Sequence, residues 1–132
     1  MGHIGLMGLI GLISLISCTE SFEDRCRREA REYTARQCPR LVDTYIVLDS
    51  MVFDESPIGF SYYYTVQGDL DNPDLLTDEL MAEFKEAVLA SLRKDISLKN
   101  FKERGFVFSY HYFSASTGEL FTEVSFKPEE YR

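Results

Sequence analysis

The spacing of apolar residues along the chain predicts two amphipathic helices. The stronger signal is a recurrence every four residues, carried by Leu76, Leu80, Phe84, Val88, Leu92 and Ile96. Such a repeat places its members on one stripe of a helix, where they can face a core. Residues 22–37 show a similar stripe and are followed by Pro39, which favours the end of a helix. We expect Asn72 to cap the later helix and Pro73 to take its first position.

Four segments rich in β-branched and aromatic residues predict strands, at residues 44–53, 60–67, 106–114 and 119–127. Turn-forming residues at 54–59 and 115–118 join these strands as two hairpins. The predicted order is therefore α-β-β-α-β-β. Because a helix followed by a hairpin occurs twice, we expect an α+β fold in a single domain of residues 25–132. Its sheet would be four-stranded and antiparallel, with two helices packed on one face.

An apolar run at residues 4–16 precedes the first predicted helix. It is too short to span a membrane, which takes ~20 residues, but it has the length of the apolar part of a signal peptide. Leu15, Ile16, Ser17 and Cys18 follow the pattern of a bacterial lipobox, and the segment resembles the signal peptide of a lipoprotein. The resemblance implies removal of residues 1–17, acylation of Cys18 with chains such as palmitate, and a tether at residues 18–24.

Two features bear on this interpretation of the N-terminus. The residues before the apolar run contain no Lys or Arg, which departs from the usual positive start of a signal peptide. The alternative is a buried apolar segment of a cytosolic protein, and its glycines and serines weaken any helix there. The acidic residues at 19–24 resemble the surface-export signals of Bacteroidota lipoproteins, although they also suit the first turn of a helix. The resemblance implies the outer membrane rather than the inner one, facing the periplasm or the cell surface.

Short motifs across the rest of the chain resemble those of a group of small exported bacterial proteins. They are Cys38-Pro39, Val42-Asp43, Leu48-Asp49, the run Tyr62, Tyr63, Tyr64 and Thr65, then Gly105, the run Tyr110, His111 and Tyr112, and Thr117-Gly118. None of these motifs carries catalytic chemistry. The resemblance therefore implies export and a shared fold without implying an activity.

Composition supports a folded domain and argues against nucleic acid as a partner. Of the 132 residues, 45% are hydrophobic and 14% aromatic, whereas disordered chains are poor in both classes. The formal net charge is −8 at pH 7, and all of it lies after residue 17. Residues 41–84 hold ten acidic side chains and no basic one. Binding to phosphates requires clustered Lys and Arg, so we expect no nucleic-acid partner.

Six arginines lie between Arg25 and Arg40, interleaved with Glu29 and Glu32. One interpretation is a solvated helix face whose opposite charges pair with each other. The other is a basic face that contacts anionic head groups close to the anchor. Because the neighbouring acidic side chains largely cancel the positive field, the sequence favours the first interpretation.

Cys26 and Cys38 are the two cysteines left after the anchor. An oxidising compartment favours disulfides, but twelve residues of helix would separate the two Cα atoms by ~18 Å. A disulfide needs about 4.4–6.8 Å. We therefore expect that the two do not pair with each other in an uninterrupted helix, that Cys26 is buried, and that Cys38 is either buried or paired to another chain.

Alternation along the predicted strands separates two faces of the sheet. One set of side chains must meet the helices. The opposite set is Ser61, Tyr63, Thr65, Val107, Ser109, His111, Phe113, Phe121, Glu123 and Ser125. A solvated face with scattered aromatics is one interpretation. The other is a binding face for an envelope protein, a glycan or a second copy of the chain, formed by Tyr63, Thr65, His111, Phe113 and Phe121.

Candidate chemistry is sparse. His111 is the only histidine after the predicted signal peptide, and a triad with Ser109 and Glu123 has no supporting motif. Residues 69–74 are acidic but lack the glycine and distal glutamate of a calcium loop. We therefore expect no catalytic residue, cofactor or metal, and predict a non-enzymatic, membrane-anchored binding or accessory subunit of the cell envelope. The alternative is a small envelope hydrolase or metal-dependent enzyme centred on His111.

Overall fold

The computed structural model describes residues 20–132, so the predicted signal peptide and Cys18 lie outside the described residues. The longer elements are helix α1 (Phe22–Gln37), strands β1 (Arg40–Asp43), β2 (Ile46–Glu55) and β3 (Ile58–Val66), helices α2 (Asp78–Lys94) and α3 (Lys99–Glu103), strands β4 (Val107–Ser114) and β5 (Leu120–Phe126), and helix α4 (Pro128–Tyr131). Single 3₁₀ turns lie at Gly68–Leu70, Pro73–Leu75 and Ile96–Leu98. Among these residues no helix is long and apolar enough to cross a membrane.

The sheet has five strands in the order β1-β2-β3-β4-β5, and it is mixed. Neighbouring strands are antiparallel except β3 and β4, which run parallel. The α+β class is confirmed, but the predicted four-stranded antiparallel sheet is wrong. The chain leaves β3, passes through α2 and α3, and returns to start β4 beside the start of β3, and such a crossover joins parallel strands. The extra strand β1 is short and pairs with β2 through Arg40 and Leu41.

Both long helices begin at side-chain caps. Ser21 accepts a hydrogen bond from the Asp24 amide at 3.0 Å, and α1 ends at Gln37, just before the Cys38-Pro39 pair. The predicted start of the second long helix is wrong by several residues. Asn72 caps only the 3₁₀ turn that begins at Pro73, and α2 itself is capped by Thr77.

All four helices contribute to one side of the sheet. Strand β4 alternates strictly, with Phe108, Tyr110 and Tyr112 buried and the residues between them partly exposed. The same buried cluster contains Cys26 and Ala30 from α1, Leu89 and Leu92 from α2, and Tyr131 from α4, with Phe101 of α3 packed against it. The predicted number of two helices is wrong, because the short helices α3 and α4 also pack on this side. Within residues 20–132 the other face of the strands carries no helix.

Helix α1 also covers an edge of the sheet. Beyond its short pairing with β1, strand β2 has an outer edge that faces α1. The Thr34 hydroxyl donates to the Met51 carbonyl at 3.0 Å and accepts from the Met51 amide at 2.9 Å. One side chain therefore takes up both backbone groups of Met51 on that edge.

The two cysteines behave as predicted with respect to each other. Cys26 is fully buried against the core, Cys38 is half-buried at the end of α1, and both are free thiols. Burial raises the pKa of both thiols. Pairing of Cys38 with another chain stays a prediction.

Candidate functional site

The face of the sheet that no helix of residues 20–132 covers brings most of the predicted binding residues together. We call it the open face, and it consists of Asp49, Val52, Asp54, Ser61, Tyr63, Thr65, Ser109, His111, Phe113, Leu120, Glu123 and Ser125. The parallel register of β3 and β4 sets Tyr63 beside His111 and Thr65 beside Phe113. The antiparallel register of β4 and β5 sets His111 beside Glu123.

Three aromatic rings form a strip along the open face. The ring centroids of Tyr63 and His111 are 4.8 Å apart with planes 17° from parallel, and those of Tyr63 and Phe113 are 6.3 Å apart at 24°. Next to this strip, the Thr65 hydroxyl donates to Oδ2 of Asp49 at 2.6 Å. Stacked rings keep their outer faces and edges free for a partner. Four of the five predicted binding residues therefore lie together.

Phe121 is the exception, and its predicted place on the open face is wrong. The register of β4 and β5 shifts between the pairs Tyr112–Thr122 and Phe113–Leu120, which leaves Phe121 as the extra residue of a bulge. A bulge interrupts the alternation of side chains. Phe121 consequently lines an apolar groove on the helix side, with Phe84 of α2 as a neighbour, and Leu120 takes the position opposite Phe113.

His111 is held by hydrogen bonds within the open face. Its Nδ1 lies 3.0 Å from Oε2 of Glu123 and its Nε2 lies 3.4 Å from Oγ of Ser61. The Ser61 hydroxyl donates to Oδ2 of Asp54 at 2.5 Å. This chain of polar groups fixes the plane of the imidazole against the ring of Tyr63.

The arrangement around His111 differs from the triad considered from the sequence. Ser109 is paired with Ser125 through their hydroxyls, 2.8 Å apart, rather than with the histidine. Ser61 replaces it, but Ser61 is only 4% exposed and its proton is directed at Asp54. A nucleophile must reach its substrate and give its proton to the base. The geometry therefore suits a histidine that orients the aromatic strip.

The acidic loop at residues 69–74 is used for internal hydrogen bonds. The carboxylate of Asp71 accepts from the Ser114 hydroxyl at 2.6 Å and from the Ser116 amide at 3.0 Å, which holds its pKa below the usual range. Asp69 accepts from the Tyr45 hydroxyl at 3.1 Å. The loop thus ties the end of β3 to the β4–β5 hairpin. Within residues 20–132 no three His, Cys, Asp or Glu side chains are grouped to hold a metal ion.

The arginine-rich face of α1 is paired with its acidic neighbours. Arg25 contacts Glu29 at 3.0 Å, and Arg28 contacts Glu20 at 2.9 Å, which lowers the pKa of Glu20. Arg27 also pairs with both Asp24 and Glu55. Arg25, Arg27 and Arg28 therefore follow the interpretation of a self-paired, solvated face. Exposed pairs of this kind contribute little to stability.

Sequence reasoning missed a second concave site, on the helix side of the sheet. A cleft of about 450 Å³ opens between α1, α2 and the strands, and its floor consists of the rings of Tyr62, Tyr64, Tyr110 and Tyr112. We call it the tyrosine cleft. These four residues belong to the inward-facing set, so the pattern alone assigned them to the core. The signal that could have revealed the cleft is the use of tyrosine, with its polar end, at four neighbouring inward positions.

The chain matches a protein family and shares its fold with solved structures. The family described as "Domain of unknown function (DUF8479)" matches residues 21–122. No curated protein sequence matches the chain. One similar structure is a protein of Pseudomonas aeruginosa described as a "putative secreted protein", with a TM-score of 0.66 and 13% identity over 86% of this chain and 100% of the other.

A second similar structure is the pilotin EpsS from the type 2 secretion system of Vibrio vulnificus. The TM-score is 0.62 and the identity 11%, over 83% of this chain and 91% of the pilotin. At these identities the likeness establishes the fold alone. This chain therefore shares its overall fold with both proteins.

Proposed function

We propose that this chain, which belongs to the family described as Domain of unknown function (DUF8479), is a non-enzymatic accessory protein of the bacterial cell envelope. In this proposal, a lipid on Cys18 anchors it to a membrane, and it binds an envelope protein through its open face. The observation that carries the proposal is the strip of stacked rings, Tyr63, His111 and Phe113, on a sheet face that the helices of the described part of the chain leave uncovered.

The surroundings of the aromatic strip favour contact with a protein. Val52 and Leu120 flank it and are 42% and 48% exposed, so apolar surface extends across several strands of the open face. Partly exposed aromatic residues are enriched at the centres of protein interfaces. Polar residues of the same face, such as Ser109 and Ser125, supply a rim that can form hydrogen bonds. Association of two copies through this face is the other arrangement that the surface allows.

The likeness to a pilotin supports an accessory role. By its name that protein is part of a secretion system, which is an assembly of several proteins. The fold is therefore compatible with service in an envelope assembly. The internal use of His111, Ser61 and Asp71 in hydrogen bonds also supports a binding role over a catalytic one.

The proposed anchor would hold the domain close to the membrane. Helix α1 starts at Phe22 with Ser21 as its cap, three residues after Cys18. Three extended residues span at most about 10 Å. Residues 22–24, which were assigned from the sequence to the tether, already belong to α1. The N-terminal end of α1 would then face the lipid head groups.

Chemical cross-linking in intact cells, followed by mass spectrometry, tests the proposed partner. The native protein is compared with a Tyr63→Ala/Phe113→Ala variant. The matched control is Ile96→Ala, which removes an apolar side chain that is 87% exposed in a 3₁₀ turn between α2 and α3. We expect a discrete cross-linked partner with the native protein and the control, and its loss with the double variant.

Two results would contradict the proposed site or role. A partner retained by the double variant would place the interface outside the aromatic strip. The lack of any cross-linked protein would remove the accessory role itself. The same spectra report the anchor separately, because a mature chain that starts at acylated Cys18 has a defined N-terminal peptide mass. An unprocessed or unacylated N-terminus would remove the anchor from the proposal.

A further inference from the structure

The tyrosine cleft has the size of a small-molecule site. Its volume of about 450 Å³ lies within the ~300–1,000 Å³ of typical ligand pockets. The floor is the row of rings from β3 and β4, and the walls include Leu48, Val88, Leu92 and Leu98. Tyr33 of α1 closes one side. The cleft lies on the opposite side of the sheet from the open face.

Its floor presents phenol hydroxyls that have no partner within the described part of the chain. Tyr62, Tyr110 and Tyr112 are 9%, 8% and 5% exposed, and none of their hydroxyls forms a hydrogen bond with residues 20–132. Every fully enclosed side-chain oxygen or nitrogen in these residues does have a partner. The three hydroxyls therefore reach the cleft, where solvent or a ligand must satisfy them.

Packing alone does not explain the hydroxyls. Two residues earlier on the same strands, Phe60 and Phe108 fill the core with rings of the same size that carry no polar atom. Removing a hydroxyl from bulk water without a firm partner costs stability. Four tyrosines at adjacent inward positions are therefore better explained by something that the cleft contains.

The geometry restricts the chemistry of the occupant. The rings of Tyr62 and Tyr110 stack at 5.2 Å and those of Tyr64 and Tyr112 at 4.6 Å, so their inner faces contact each other and the hydroxyl ends remain for a ligand. Face-on binding of a cation is disfavoured by this stacking. Burial raises the pKa of all four tyrosines, so their hydroxyls stay protonated and can both donate and accept.

The rim of the cleft has more negative than positive side chains, which disfavours an anion. It carries one guanidinium, from Arg40, and two carboxylates, from Asp43 and Asp95. Ser91 contributes a further hydroxyl, whereas the Ser97 hydroxyl donates to Oδ1 of Asp95 at 2.5 Å. We infer that the tyrosine cleft binds a neutral, polyhydroxylated small molecule of the size of a mono- or disaccharide. This site is independent of the proposed anchor and of the partner on the open face.

Saturation-transfer difference NMR on the purified full protein, kept in detergent if it carries the proposed lipid, tests this site. The probes are glucose, galactose, N-acetylglucosamine, maltose and chitobiose, with glucuronate as the anionic comparison. We expect transfer to at least one neutral sugar and weaker transfer to glucuronate. Tyr62→Phe/Tyr110→Phe should weaken the binding about tenfold or more, because it removes two hydrogen-bonding groups while keeping both rings.

Two further variants make the test specific to the cleft. Tyr63→Phe applies the same substitution on the same strand but on the open face, and it should leave sugar binding unchanged. Ser91→Trp keeps all four tyrosines and places a large side chain at an exposed position of α2 that lines the cleft. It should fill the cleft and abolish binding. Urea unfolding confirms that each variant is folded.

The inference is overturned if none of the neutral sugars receives transfer from the native protein. It is also overturned if the double Tyr→Phe variant and Ser91→Trp bind as the native protein does, since the sugar would then sit elsewhere.

Discussion

The helix side of the sheet has two ends that differ in one atom per ring. At the phenylalanine end, Phe60 and Phe108 lie opposite each other on β3 and β4, with Phe53, Phe106 and Phe126 around them. At the tyrosine end, the next inward positions of the same strands are Tyr62 with Tyr110 and Tyr64 with Tyr112. Backbone, register and ring size are shared. The two ends differ only in the hydroxyls and in the helical residues that pack above the rings.

The covering layers explain how each end is packed. Over the phenylalanine end, Phe101 meets Phe60 edge-to-face at 4.9 Å and 88°, and Phe22 meets Phe106 at 6.0 Å and 72°. Edge-to-face rings from several directions fill the volume. Over the tyrosine end, the rings of each pair stack on each other, Phe84 meets Tyr112 edge-to-face at 4.9 Å and 79°, and the cleft lies beside them, lined by residues of α1 and α2. A sealed core and a lined cavity thus share one sheet.

Tyr131 shows what happens to a hydroxyl inside the sealed end. This residue of α4 is 5% exposed and packs against Phe108 at 5.6 Å. Its hydroxyl donates to the carbonyls of Phe106 at 2.8 Å and Lys102 at 3.2 Å. A buried hydroxyl at the phenylalanine end is therefore partnered by protein. Among the buried tyrosines of residues 20–132, those whose hydroxyls have no protein partner lie at the end that has a cavity.

The largest expected effect is the loss of a ring at the sealed end. Phe60→Ala removes a fully buried ring that contacts Phe53, Phe101 and Phe106, so we expect the free energy of unfolding to fall by about 3–5 kcal/mol. Tyr64→Ala, at the edge of the cleft, should cost less because its surroundings are already open. Urea unfolding followed by far-UV circular dichroism measures both. Equal losses would mean that the two ends are packed alike.

An exchange of single hydroxyls should have a smaller and asymmetric effect. Phe108→Tyr places a hydroxyl where no partner or cavity receives it, and we expect a loss of about 1–3 kcal/mol. The reverse change, Tyr110→Phe, removes a hydroxyl that faces the cleft and should change stability by less than about 1 kcal/mol. The same unfolding assay compares them. A large loss for Tyr110→Phe would show that its hydroxyl is part of a protein hydrogen-bond network.

The last effect is absent at neutral pH and comes from ionisation of the tyrosine end in alkaline solution. Burial raises the pKa of Tyr62, Tyr64, Tyr110 and Tyr112 in the folded protein, whereas phenols of the unfolded chain ionise near pH 10. Above about pH 10 the unfolded state binds fewer protons, so the free energy of unfolding falls as pH rises. Stability should be insensitive to these groups below that pH.

Absorbance at 295 nm distinguishes the two populations of tyrosine. In the folded protein, the four cleft tyrosines should not ionise together with freely exposed phenols, and their absorbance change should coincide with alkaline unfolding. A single titration of all eight tyrosines near pH 10, without unfolding, would contradict the burial of the tyrosine end.

Local patterns predicted the elements better than their partners. The stripe of residues 22–37 and the repeat around Phe84 gave both long helices, since each records one buried face. The parallel pairing of β3 with β4 was missed because the direction of β4 depends on where α2 and α3 return the chain. The alternation of apolar and polar residues within a strand carries no information about that position. Strand β1 was missed because Leu41 and Val42 are exposed and the strand has only four residues.

The candidate site was predicted in the same uneven way. Alternation placed Tyr63, His111 and Phe113 on one face, because each belongs to a regular stretch of strand. It failed at Phe121, where a bulge adds one residue. The tyrosine cleft was not foreseen, since Tyr and Phe give the same alternation, and whether helices seal a ring depends on how far apart they lie above it.

The contact between Thr34 and Met51 has a consequence for solubility. A strand edge with free amide and carbonyl groups can recruit the strand of another molecule, and repeated recruitment gives insoluble fibrils. The Thr34 hydroxyl occupies both groups of Met51 in the middle of the β2 edge. A protein carried through the envelope at high local concentration would gain from this protection. A Thr34→Val variant, which leaves the backbone groups of Met51 free, should aggregate while it is still folded.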